Sequence, residues 1–141
     1  MSAKTDPALV ASELRVVLGQ LLRRMRAEHG FPLSHGAVLG RLDREGPQSV
    51  SDLAHGEHVR PQSMAQTVNE LEAEGLIARS PDREDRRRTL IKLTASGRRV
   101  LARERSRREG WLAQAIEREF SAGEQAVLHK AAALMRRLAD S

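Results

Sequence analysis

A mainly α-helical fold with a small β-hairpin wing is predicted by three features of the 141-residue sequence. Apolar residues recur with the three-and-four spacing of helices at both ends of the chain. In the middle, a short helical segment, a turn and a second, polar-faced helix follow one another. Two strand-like runs joined by an arginine-rich tip come directly after them. That order is a winged helix-turn-helix, and it leaves the terminal helices to form a dimerisation lobe.

From Ala8 to His29, residues Val10, Leu14, Val17, Leu18, Leu21, Leu22 and Met25 fall on one helical face, with Arg15, Arg23, Arg24 and Arg26 on much of the remainder. Gly30 and Pro32 are expected to end this helix. Ser34 is expected to cap a second helix that carries Val38, Leu39 and Leu42 and stops at Gly46-Pro47. Ser49-Val50-Ser51-Asp52 has the form of a capping box, in which hydroxyl and carboxylate satisfy backbone N–H groups at the helix start. The short helix it opens carries Leu53 and Ala54, runs out between Gly56 and His58, and leaves Val59 as the apolar residue of the turn.

Pro61 suits the first turn of the next helix, because its missing N–H would have no partner there. That helix runs through Gln62 to about Glu74, with Gly75 placed for its C-terminal cap. Met64, Val68 and Leu71 face inward, with Ala65 alongside. Gln62, Ser63, Gln66, Thr67, Asn69 and Glu70 face outward. An ordinary surface helix uses Glu and Lys in paired spacing. This face instead carries amides and hydroxyls, which both donate to and accept from base edges and phosphates.

Leu76 to Arg79 reads as a short strand and Thr89 to Leu93 as a second, β-branched and apolar one. Between them lie Arg83, Arg86, Arg87 and Arg88, interleaved with Asp82, Glu84 and Asp85. The tip of such a hairpin cannot bury itself. Standing alone, the run would be solvated surface with local ion pairs worth little. Its place directly after a polar-faced helix favours an anionic partner. Beyond it, Thr94-Ala95-Ser96-Gly97 opens a long helix through Arg98 to about Glu119. Leu101, Trp111, Leu112, Ala115 and Ile116 mark its apolar side, while Arg103, Arg105, Arg107 and Arg108 make its middle polar. Ser121 to Glu124 form another capping box, opening a last helix with a stripe of Val127, Leu128, Ala131, Leu134, Met135 and Leu138. The first seven residues and the last two are expected to fray.

Lys and Arg number 24 against 19 Asp and Glu, and the isoelectric point is about 10.8, which suits a polyanionic partner. The excess is local. Eleven basic residues face four acidic ones between Asp82 and Arg108, while the rest of the chain is slightly acidic. With no cysteine, disulfides, thiol catalysis and thiol redox sensing are excluded. Neither an apolar signal core nor a membrane-length run is present, so a cytoplasmic protein without membrane contact is expected. The aromatic residues are Phe31, Trp111 and Phe120, too few for stacking platforms on single strands. His55 and His58 are spaced like metal ligands, but the helix ends there and no cysteine joins them, so no metal is expected. Neither a nucleophile elbow nor a phosphate-cradling glycine loop occurs, so no catalytic residue and no cofactor are expected. A small enzyme stands as a remote second class. A sequence-indifferent, architectural DNA binder is a third; it shares the basic patch but has no need of the amide face, and a small specificity ratio would mark it.

The terminal helices are apolar on one side, yet they flank the central unit at opposite ends of the chain. One copy could fold them only into a thin three-helix layer. Two copies bury the stripes more fully, and twofold symmetry is the commonest route. Two reading helices about one duplex turn apart then match a palindrome.

In Ser49 to Ala54, Pro61 to Leu71, Glu74 to Arg79, Asp82 to Arg87 and Leu93-Thr94-Ala95-Ser96-Gly97, the chain resembles the MarR family of bacterial winged-helix transcription regulators. The resemblance covers nearly the whole chain. It implies one domain over 1–141, with helices in 8–32 and 98–140 pairing two copies and 33–97 binding double-stranded DNA, most simply as a repressor. Matching positions would make Asp85 the brace of the wing, and would place Arg87 and its neighbour Arg86 in the minor groove, with the role of Arg88 among the DNA contacts left open. The helix from Pro61 to Glu74 would lie in the major groove, with Arg60, Gln62, Ser63, Gln66 and Asn69 as its contacts. Family members often bind small aromatic or phenolic acids in a crevice beside the dimer lobe, where Arg15, His35 and Trp111 are the candidates here.

Overall fold

The computed structural model describes residues 4–29 and 32–141. Its elements are α1 (Pro7–His29), α2 (Leu33–Glu45), α3 (Val50–Gly56), α4 (Pro61–Ala73), β1 (Ile77–Pro81), β2 (Thr89–Leu93), α5 (Ala95–Glu119) and α6 (Ala122–Ala139). The chain forms two compact units, Met1–Arg105 and Ser106–Ser141. The expected mainly α fold with a hairpin wing is present, and several boundaries move for identifiable reasons.

Helix α1 starts inside the stretch expected to fray. The Asp6 carboxylate accepts from the Ala8 N–H at 3.0 Å, and the Asp6 carbonyl accepts from Leu9 and Val10. Asp6-Pro7 is therefore a cap followed by a proline in the first turn, a pairing that apolar periodicity does not reveal. Gly30, expected to stop α1, lies outside the described residues. Helix α2 begins one residue before Ser34, which does not cap it. Pro32 holds the N-cap position at φ −60° with no side-chain bond, and its carbonyl accepts from Gly36 at 3.1 Å. The fixed φ of proline sets the entry in place of a capping hydroxyl. Gly46 ends α2 at φ +83°, in the left-handed region that glycine tolerates.

Only half of the first capping box forms. Ser49 Oγ accepts from the Asp52 N–H at 3.1 Å, but the Asp52 carboxylate turns away to Arg88. The second box, at Ser121 and Glu124, is complete in both directions. Helix α4 closes with a two-bond C-terminal motif around Gly75, φ +74°: Gly75 donates to the Glu72 carbonyl at 2.9 Å and Leu76 to the Leu71 carbonyl at 3.0 Å. Leu71 and Leu76 are both buried beneath it. Because the Leu76 N–H is used in that closure, β1 begins at Ile77 and not at Leu76, and it extends to Pro81.

Strands β1 and β2 pair antiparallel, from Ile77 opposite Leu93 to Pro81 opposite Thr89. A short third segment joins them. Gln48 and Ile91 exchange backbone bonds of 3.1 and 2.8 Å, so the stretch after Gly46-Pro47 is a bridge to the sheet as well as a helix stop. At the other end, Thr94 clasps the root of the wing. Its hydroxyl donates to the Gly75 carbonyl at 2.6 Å and accepts from Gly97 N–H at 3.0 Å, while its own N–H reaches the Leu76 carbonyl. A Cβ on Gly97 would lie 2.1 Å from that Leu76 oxygen, so only glycine permits the approach.

The core sits entirely in the first unit. Val38, Leu39 and Leu42 of α2, Leu53 and Ala54 of α3, and Met64, Val68 and Leu71 of α4 pack with Leu76, Ile77, Ile91, Leu93 and Leu101. By contrast, no described side chain of α1 is buried, and none of α6 is. Among the described residues, no helix is long and apolar enough to cross a membrane.

Candidate nucleic-acid interface

The turn between α3 and α4 is built from backbone bonds that fold the chain back on α3. Glu57 donates to the Leu53 carbonyl at 3.0 Å, His58 to His55 at 3.2 Å and Val59 to Ala54 at 3.0 Å. His58 adopts φ +54°, a conformation in which a non-glycine residue is uncommon. Among the described residues no group of three potential metal ligands forms.

Arg41 of α2 fixes that turn from behind. Its guanidinium donates to Glu57 at 2.6 Å, to the Gly56 carbonyl at 2.9 Å and to Glu45 at 2.9 Å. Burial opposes its charge, but the two carboxylates more than compensate and hold it protonated. Sequence reasoning missed Arg41. Its decisive partner is sixteen residues away, and only the i,i+4 spacing to Glu45 gave any local sign of a role.

The outward face of α4 is where periodicity placed it. Gln62, Ser63, Gln66 and Asn69 are exposed, as is Arg60 at the N-cap, and Met64, Val68 and Leu71 are buried. Thr67 is half-buried and its hydroxyl folds back onto the Ser63 carbonyl at 3.2 Å. Two networks organise the amides. Gln66 Nε2 donates to Glu70 Oε1 at 3.3 Å, and Glu70 Oε2 meets His35 Nε2 at 2.7 Å. Arg79 of β1 donates to Asn69 Oδ1 at 2.6 Å and to both Glu72 oxygens at 3.2 Å. The hydrogen bond with His35 holds the Glu70 carboxyl below the usual carboxylate range, against the opposing effect of desolvation and with help from Gln66.

The wing tip is shaped by its acidic residues. Asp82 N–H donates to the Arg88 carbonyl at 2.8 Å, and the Asp82 carboxylate accepts from Glu84 N–H at 3.0 Å. The Asp85 carboxylate accepts from the Arg87 backbone at 3.1 Å and its guanidinium at 3.4 Å, while the Asp85 carbonyl accepts from Arg88. Arg83, Arg86 and Arg87 are exposed at this tip, the Arg87 side chain by 94%. Arg88, whose role the sequence leaves open, runs back to α3, where it pairs with Asp52 and reaches Ser49 Oγ at 3.4 Å. The unfinished capping box and the arginine thus form one tie between wing and helix-turn-helix.

The three crevice candidates differ in setting. Arg15 is exposed on α1 and Trp111 half-buried on α5, in the second unit. His35 is 5% exposed and committed to Glu70 across the α2–α4 packing.

A model described as the MarR family matches residues 31–89, a span that contains α2, α3, α4 and β1 and ends on the first residue of β2. An HTH-type transcriptional regulator of Mycobacterium bovis is 32% identical over 136 residues, covering 94% of each chain. The solved structure of a transcriptional regulator from Pseudomonas aeruginosa is 36% identical, covers 98% of this chain and 99% of its own, and superposes with a TM-score of 0.79. A MarR family protein from Bacillus stearothermophilus, 22% identical, shares the fold at a TM-score of 0.80 over 98% of this chain and all of its own.

Proposed function

The chain belongs to the MarR family of DNA-binding transcriptional regulators, and from that premise we propose that it represses transcription as a homodimer on a palindromic operator. Helix α4 lies in the major groove, with Arg60, Gln62, Ser63, Gln66 and Asn69 toward base edges and phosphates. Arg86 and Arg87 enter the adjacent minor groove, where a narrow groove concentrates negative potential. Asp85 braces the tip by holding the Arg87 backbone, and Arg88 anchors the wing to α3 through Asp52. One observation carries the reading: an exposed face of amides and hydroxyls on α4 joined through Arg79 to a hairpin whose tip arginines are exposed.

The pairing lobe, from residues 8–32 and 98–140, is supported by the unburied apolar residues of α1 and α6, among them Leu9 at 56% and Val127 at 65% exposure. Residues 33–97 are the reading lobe. A small aromatic or phenolic ligand releases the DNA.

Fluorescence anisotropy tests this, using the duplex upstream of the protein's own gene and a scrambled duplex over a series of salt concentrations. Specific regulators favour their site by roughly a thousandfold or more. Arg87→Ala weakens binding to both duplexes and flattens the salt slope by about one unit. Gln66→Ala lowers the preference for the upstream duplex by about 1–3 kcal/mol. Equal binding of both duplexes by the parent would point to an architectural binder, and variants indistinguishable from the parent would refute this docking.

A further inference from the structure

The amide of Gln66 is held by one end in the free protein. A carboxylate only accepts hydrogen bonds, so the Gln66 group that meets Glu70 Oε1 at 3.3 Å has to be its NH2 end. An exposed pair four residues apart on a helix is by itself a weak restraint. Here the carboxylate is anchored. Its other oxygen is held at 2.7 Å by His35, whose side chain is buried among the core residues of α2. The amide therefore hangs from a half-exposed carboxylate tied to a buried side chain, with its carbonyl at the end away from Glu70. The negative carboxylate behind it also polarises the amide and makes that carbonyl a stronger acceptor. Asn69, one turn along, is held by its opposite end, because the Arg79 guanidinium only donates.

Within the DNA-reading role proposed above, on which this rests, we infer that Glu70 and His35 are positioning residues that fix the polarity of Gln66. Gln66 reads its base pair by accepting a hydrogen bond from an exocyclic amine, adenine N6 or cytosine N4. The reversed amide would instead donate to guanine O6 and N7 or thymine O4. The free protein already selects between these two chemistries before DNA arrives.

The test starts from a randomised duplex pool, from which the full-length protein enriches a motif, and from the base pair at which Gln66→Ala relaxes that motif. The amine at that pair is then deleted, with purine replacing adenine or 2-pyrimidinone replacing cytosine. The parent is expected to lose roughly tenfold in affinity, the worth of a good base contact, while Gln66→Ala loses little. Glu70→Gln keeps the size of the side chain but can donate as well as accept, so it no longer dictates the amide. It is expected to cut the parent's sensitivity to amine deletion severalfold with the salt slope unchanged, which a purely structural role would not do. A parent indifferent to the missing amine, a Glu70→Gln variant as sensitive as the parent, or a motif that Gln66→Ala nowhere relaxes would overturn the inference alone. A pool from which no motif emerges would overturn the DNA-reading role, and the inference with it.

Discussion

The α2–α4 and wing region and the terminal helices α1 and α6 use the same amphipathic pattern with opposite results. In the first, Leu39, Leu53, Val68, Leu71 and Ile91 are completely buried within one chain. In the second, Val17 is 48%, Leu134 59% and Leu138 60% exposed. A soluble surface rarely leaves so many large apolar side chains along one helix uncovered. The reading region completes its own core, whereas α1 and α6 carry exposed apolar stripes. The polar chemistry divides likewise. Arg41, His35, Asp52 and Arg79 each tie one element of the reading region to another, as a surface that must match a rigid duplex requires.

The contrast can be broken most forcefully in the core. Leu39→Ala removes a fully buried side chain and should cost about 2–5 kcal/mol in chemical denaturation. Leu138→Ala, on the exposed stripe, should shift the midpoint only through subunit association, so that its effect depends on protein concentration. Gly97→Ala comes next. Its Cβ would overlap the Leu76 carbonyl, and separating α5 from the wing root should cost about 1–3 kcal/mol.

A smaller effect sharpens the division between stability and reading. Arg88→Ala breaks a half-exposed pair with Asp52 and should change stability by no more than about 1 kcal/mol. It should nonetheless weaken DNA binding by letting the wing move, and comparing a melting curve with an anisotropy titration separates the two. The smallest effect is acid-dependent. The Glu70 carboxyl is held below its ordinary range, so its contribution is fully present above the unfolded value and is lost as pH falls through the lowered folded value. The difference in denaturation midpoint between the parent and Glu70→Gln should therefore be constant near neutrality and shrink in acid.

Much of this organisation was legible in the sequence because it is local. Period-three-and-four apolar spacing located α1, α4 and α6, Pro61 and Gly75 bounded the reading helix, and Thr89 to Leu93 matched β2 residue for residue. The Leu-Thr-x-x-Gly pattern was recognisable, although the reason for its glycine, the approach to the Leu76 carbonyl, requires the fold. What escaped was set by distance or by competition. Arg41 and Arg88 find their partners through tertiary packing. The Asp52 carboxylate had two possible partners, and the arginine won over the helix N-terminus. Asp6-Pro7 and Pro32 were missed as helix starts because they precede the first apolar residue, where periodicity is silent.

The claim that the reading region is self-sufficient while the terminal helices need a second copy is tested most directly by sedimentation velocity on the parent and on a Leu134→Glu/Leu138→Glu variant. The parent should sediment at twice the chain mass and the variant as a monomer with nearly unchanged helical circular dichroism. A monomeric parent, or a variant that still dimerises, would contradict it.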